Sequence, residues 1–120
     1  MGALPGLRST EDFRRVRRSG RSWAHPLLVL FVAPGTEPAT RVGISVSKRV
    51  GGAVVRNRVK RRIREIMREQ LSSLRPGWDL MIVARQGSAT ATYAELSEAM
   101  TRLLGKAALA ETNNCSASSR

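Results

Sequence analysis

Cysteine, aromatic rings and acids are all scarce in this chain, and the shortages of cysteine and of acids each close off a class of function. The one cysteine, Cys115, excludes an intrachain disulfide and any cysteine-based metal site, and a reducing cytoplasm suits such a protein. The longest apolar run, Leu27 to Ala33, is about a third of a membrane span. The amino terminus lacks the charged, apolar and small-residue order of a signal peptide. These readings predict a cytoplasmic protein that does not engage a membrane. Nine Asp and Glu face 21 Lys and Arg, and the acids are scattered. The single histidine, His25, precedes Pro26 with no acid nearby in sequence. A protein nuclease needs clustered carboxylates that hold metals, or a histidine paired with a base, and neither pattern is present. No internal repeat is found.

Positive charge is what the chain has in abundance. Its net charge of +12 and isoelectric point near 11.7 make a polyanion the first expected partner, because binding one releases condensed counterions. The charge is densest after a Gly51-Gly52 bend: seven basic residues lie between Arg56 and Arg68, against two acids through Glu69. A helix over 55–71 places Val55, Val59, Ile63, Ile66, Met67 and Leu71 on one stripe and Asn57, Arg58, Arg61, Arg64 and Arg68 on the other side. The apolar stripe suits a sheet, and neither Trp lies in it, which favours nucleic acid over a lipid surface. Arg clamps a phosphate with two parallel hydrogen bonds and Asn both donates and accepts, so Arg56, Asn57 and Arg58 at a helix start suit RNA. Arg56 projects nearer the stripe than the ridge, which leaves support of the preceding loop open to it.

The remaining segments define one small domain over 1–106 and a loose tail over 107–120. Ser9 or Thr10 caps a first helix that runs to about Arg18, with Leu7 as a staple, Gly20 as its stop and its arginines largely in solvent. Leu27–Val32 reads as a strand ended by Pro34-Gly35, with a further strand possible near Arg21–Trp23. Strict alternation over Arg41–Ser47 sends Val42, Ile44 and Val46 to one face. Gly43, Ser45 and Ser47 go to the other, a low polar floor for an extended chain. Trp78–Ala84 is another strand after the Arg75-Pro76-Gly77 turn. Thr92 and Glu95 form a capping box for a last helix carrying Leu96, Met100, Leu103 and Leu104. The order α-β-β-β-α-β-α predicts an α+β fold, a two-layer sandwich of a central mixed sheet packed with helices. Phe13 and Phe31, taken alone, read as core residues or as stacking platforms, while Trp23 and Trp78 read as packing at the sheet's margin.

Gly51-Gly52-Ala53-Val54-Val55-Arg56-Asn57-Arg58-Val59-Lys60-Arg61 resembles the signature of the protein subunit of bacterial ribonuclease P. The resemblance extends over about Leu7 to Leu104. It takes in Glu11-Asp12-Phe13, the run from Val42 to Arg49 and the run from Asp79 to Arg85. It implies a left-handed βαβ crossover around the basic helix, a hand opposite to the general rule. It also implies the function: a ribonucleoprotein endonuclease that hydrolyses a phosphodiester to remove the 5′ leader of precursor tRNA. In that enzyme the RNA holds the Mg²⁺ ions, the protein binds no cofactor of its own, and no protein partner is required. By position, Lys48, Arg49, Arg56, Asn57, Arg58, Lys60, Arg61, Arg64 and Arg68 would meet the catalytic RNA. Phe13, Arg17, Phe31, Ser45, Ser47 and Lys48 would line the leader cleft. Arg17 stands where the family often carries a second aromatic, so phosphate contact or Arg stacking would partly replace base stacking. The alternative is a basic ribosomal or other structural RNA-binding protein, which predicts no leader groove.

Overall fold

The computed structural model describes residues 6–7, 10–19 and 21–107. The expected cap Ser9, the stop Gly20 and the tail from 108 onward, Cys115 included, lie outside these residues. Ala107 is buried and its N–H donates to the Leu103 carbonyl, so the last helix keeps its hold on the core one residue past the expected boundary.

The elements follow the expected order: α1 Thr10–Ser19, β1 Arg21–Ala24, β2 Leu28–Pro34, β3 Arg41–Val46, α2 Ala53–Gln70, β4 Trp78–Ala84 and α3 Tyr93–Lys106. Four strands form one sheet in the order β1-β2-β4-β3. β2 pairs antiparallel with both β1 and β4, whereas β3 runs parallel to β4, with α2 in the connection between them. The sheet is therefore mixed, with β3 at an edge.

α2 and α3 cover one face. The stripe of α2 delivers Val59, Ile63, Ile66 and Met67 to the core, and α3 delivers Leu96, Met100, Leu103 and Leu104. They meet Leu30, Val32, Val42, Leu80 and Ile82 from the sheet, and each of the largest side chains gains about 1.5–3 kcal/mol on leaving water. The capping box forms as expected: the Glu95 N–H donates to Thr92 Oγ1 at 3.1 Å and the Thr92 N–H to Glu95 Oε1 at 2.8 Å. α2 stops at Gln70. Leu71, expected on its stripe, opens a 3-10 turn, Leu71–Ser73, and Pro76 shortly after cannot continue a helix. Trp23 and Trp78 pack at the margin of this core, partly buried.

α1 lies on the opposite face, where Leu7 and Val16 pack with Ala33 and Met81. The two main layers thus carry partial cover from a third. α1 is fastened by charge as well as by apolar contact. Asp79 is fully buried, accepts from Arg41 Nε at 3.1 Å and Nη2 at 2.8 Å, and also accepts from Arg15 Nη2. Arg15 additionally donates to the Pro34 carbonyl at 2.8 Å and pairs with Asp12 at 3.3 Å. Arg15, expected in solvent, is therefore half-buried and joins α1 to β4. Burial alone would raise the Asp79 pKa, but the hydrogen bonds from Arg41 and Arg15 together outweigh it and hold the carboxyl below its ordinary range.

Candidate nucleic-acid interface

Because side chains alternate along a strand, the α1 face carries three rows running across the sheet. The row of Ala33, Asp79 and Arg41 and most of the row of Ser22, Phe31, Met81 and Gly43 lie under α1 or at its foot. The third row, Ala24, Val29, Val83 and Ser45, is partly open, with Ala24 exposed and the other three half-buried. It crosses four strands, about 14 Å at ~4.8 Å per strand, and forms a shallow apolar floor beside α1.

Arg17, in the last turn of α1, places its guanidinium carbon 5.5 Å from the Phe31 ring centroid, a cation–π contact that leaves Phe31 half-buried. Phe13, one turn earlier on the same side of α1, is also half-buried. A Cβ on Gly43 would come within 2.5 Å of Phe13 Cε1 and 3.3 Å of Leu7 Cβ, so the ring owes its seat to the missing side chain. Phe13, Arg17, Phe31 and Ser45, four of the six residues expected in the leader cleft, therefore share one face of the sheet.

Ser47 does not join that floor. β3 ends at Val46 and the chain turns, so the Ser47 hydroxyl accepts the Arg49 N–H at 3.3 Å. There Ser47 lines a separate hollow of about 460 Å³ with Pro26, Arg49, Val50, Ala84, Arg85 and Gln86. Lys48 is exposed on the same turn.

α2 distributes its charge in three directions, since successive residues step by about 100°. Asn57, Arg61 and Arg68 are exposed on the outer side. Arg68 pairs with Glu65 at 2.6 Å, which offsets part of its charge. Val54, 79% exposed, falls on the same outer side. Lys60 and Arg64 turn toward the edge of β3, where they line a hollow of about 220 Å³ with Phe13, Leu7, Gly43 and Ile44. This hollow brings the cleft and the basic helix together. Arg58 departs from the expected ridge: it is half-buried and its Nη2 donates to the Ala89 carbonyl at 2.9 Å, because the chain before α3 passes that flank. Arg56 donates from Nε to the Gly51 carbonyl at 3.1 Å, the loop support left open above. Gly51 is required there, as a Cβ would stand 2.9 Å from Val55 Cγ1.

Sequence reasoning missed Val29 and Val83 as floor, although the alternation of β2 and β4 contains them. It also passed over Val54, an apolar residue off the stripe, and Arg85 and Gln86 beside the turn. Among the described residues no three of His, Cys, Asp and Glu gather to hold a metal ion. The buried carboxylate, Asp79, is already occupied by two guanidinium groups and does not fit Mg²⁺. Nor is any described helix long and apolar enough to cross a membrane.

A sequence model of the Ribonuclease P family matches residues 2–108. A protein from Herpetosiphon aurantiacus described as "Ribonuclease P protein component" is 50% identical over 103 residues, 86% of this chain and 84% of the relative. A second, from Roseiflexus castenholzii, is 42% identical over 106 residues, 88% of this chain and 87% of the relative. The solved structure of Staphylococcus aureus RNase P protein superposes with a TM-score of 0.80 at 31% identity, covering 86% of this chain and 94% of that one. That from Thermotoga maritima gives 0.75 at 26% identity, covering 82% and 94%. With an arginine-rich helix beside a half-open sheet and likeness over nearly the whole domain, the chain belongs to the ribonuclease P protein family, whose role is tRNA 5′ processing together with an RNA subunit.

Proposed function

We propose that this chain grips the catalytic RNA with the outer side of α2 and the 47–52 turn, holds the single-stranded 5′ leader of precursor tRNA in the α1 cleft, and leaves phosphodiester hydrolysis to Mg²⁺ ions on the RNA. The observation that carries this reading is the placement of two unlike surfaces around one strand. On one side of β3 is a half-open apolar floor bounded by Phe13, Arg17 and Phe31. On the other stands the helix carrying Asn57, Lys60, Arg61, Arg64 and Arg68.

A surface of exposed arginines suits a phosphate backbone, and a floor with rings at its margin suits unpaired bases. Lys48 and Arg49 stand on the turn that leads from β3 into α2, with Ser47 beside them in the separate hollow and Ser45 in the floor. Arg56 and Arg58 belong to the RNA-facing side through the turns they hold. The chain contributes by lowering repulsion between two polyanions and by favouring precursor, which has a leader, over product, which has none. A cytoplasmic location goes with this reading, as do independence of other proteins and the lack of a protein-bound cofactor.

Salt dependence tests the docking surface. Arg61→Ala is expected to weaken binding to ribonuclease P RNA and to lower the slope of log K against log salt by somewhat under about one unit, the share of one phosphate contact. A fluorescence titration at several salt concentrations reads both quantities, and an unchanged slope removes Arg61 from the contact surface.

A further inference from the structure

Three consecutive side chains on a helix fan out over about 200°, so Arg56, Asn57 and Arg58 cannot all face one ligand. Asn57 is exposed on the outer side, while both arginines are half-buried and point to opposite flanks. Arg56 reaches back to the Gly51 carbonyl at 3.1 Å. Arg58 reaches across to the Ala89 carbonyl at 2.9 Å, the last residue of the 3-10 turn Gln86–Ala89. One turn further along α2, Arg62 donates to the Ala91 carbonyl at 2.9 Å. The two turns are also tied to each other, since Gln86 Nε2 donates to the Arg49 carbonyl at 3.4 Å. Arg58 Nε is buried with no partner, so its guanidinium is held deep in this flank.

We infer that Arg56 and Arg58 are positioning residues that splint the 47–52 turn and the Gln86–Ala89 turn to α2, and that Asn57 is the member of the triplet that reaches RNA. The chemistry explains why arginine stands at both places. The Ala89 carbonyl ends a short 3-10 turn, and the Gly51 carbonyl lies one residue before the position, Gly52, whose own carbonyl takes the first helical N–H, that of Arg56, so both fall outside the helical ladders. A guanidinium supplies a long reach, a fixed fork and a permanent charge that strengthens the bond. With both turns fixed, Lys48 and Arg49 on one and Arg85, which immediately precedes the other, are presented at set distances from Asn57 and Arg61. RNA binding then meets a surface already ordered.

This inference rests on the proposed docking of RNA, and its test separates the two. Arg56→Met and Arg58→Met keep the stem and remove the guanidinium. In the free protein, amide hydrogen exchange in 47–52 for the first variant and in 86–91 for the second is expected to quicken roughly tenfold or more, the worth of one charge-assisted hydrogen bond. In the complex, affinity for ribonuclease P RNA is expected to fall about tenfold while the salt slope changes by less than about half a unit. Unchanged exchange in the adjoining turn, or a slope lower by nearly one unit per arginine, overturns the inference. Should Arg58→Met not fold, Arg58→Lys keeps the charge without the fork: it is expected to show the faster exchange and the weaker binding, and full retention of both parent values overturns the inference. The exchange measurement needs no RNA. If the parent chain itself fails to bind the RNA, the docking reading falls while the splint is still decided.

Discussion

Asp79→Ala is expected to cost about 3 kcal/mol, the low end of the range for breaking a buried ion pair by removing one partner. Asp79 has no solvent exposure, whereas the Arg15 and Arg41 side chains remain 28% and 17% exposed. The stranded guanidiniums can therefore recover some water, which keeps the loss from being larger. For a domain of this size the melting temperature should fall by about 12–24 °C. Arg15→Ala should cost less, because Arg41 still satisfies the carboxylate through two hydrogen bonds. Calorimetry or thermal circular dichroism on the two variants reads the difference; equal losses would contradict this ordering.

The same group sets a pH dependence. Its folded pKa lies below the ordinary value, so the stabilisation it contributes is present in full above the unfolded carboxylate pKa of about 3.9. That contribution is lost as pH falls below this value and through the lowered folded pKa. Acid unfolding of the parent should therefore include a component below about pH 4 that Asp79→Ala lacks. Arg15 joins α1 to β4, so loosening this anchor frees α1, the wall of the proposed leader cleft.

Phe31→Ala is expected to lower the preference of the reconstituted enzyme for precursor over mature tRNA by about 5- to 150-fold, the worth of one base stacked on one ring. Affinity for the catalytic RNA should stay near the parent value, because Phe31 lies on the α1 face and α2 on the other. Phe13→Ala should lose leader preference too, but with a stability cost, since that ring packs on Gly43 and Leu7. Arg17→Phe adds a useful third arm. It removes the cation over Phe31 and offers a second ring, so leader affinity should fall less steeply with added salt. Competition between precursor and mature tRNA for the holoenzyme reads all three variants. A Phe31→Ala enzyme that keeps its full preference would remove the ring from the leader site.

Short-range chemistry was legible in the residues alone. The helical stripe of α2 delivers Val59, Ile63, Ile66 and Met67 inward, and the Thr92–Glu95 box closes as its spacing demands. The alternation of β3 puts Val42 and Val46 in the main core. What stayed hidden depends on chain segments far apart in sequence. Asp79 meets Arg41 and Arg15 across separations of 38 and 64 residues, and nothing local marks it as a hub. Arg58 looked like a surface cation because its acceptor, Ala89, lies 31 residues further on. The apolar run of β2 supplies residues to both faces of the sheet, yet nothing in it shows that α1 shields only part of its face and leaves Val29, Val83 and Ser45 half open. Ser47 was placed one residue too far along the strand, because the turn begins before the alternation ends. The contact surface itself became visible through the resemblance, which assigned roles that charge density alone left shared with other RNA-binding proteins.

Reconstitution tests the central claim most directly: the purified chain, freed of nucleic acid, is incubated with precursor tRNA and Mg²⁺, with and without a bacterial ribonuclease P RNA. The chain alone should leave the substrate intact, and the mixture should release the 5′ leader at Mg²⁺ concentrations too low for the RNA by itself. Cleavage by the RNA-free chain, or a well-folded chain that adds nothing to the RNA at low Mg²⁺, would contradict it.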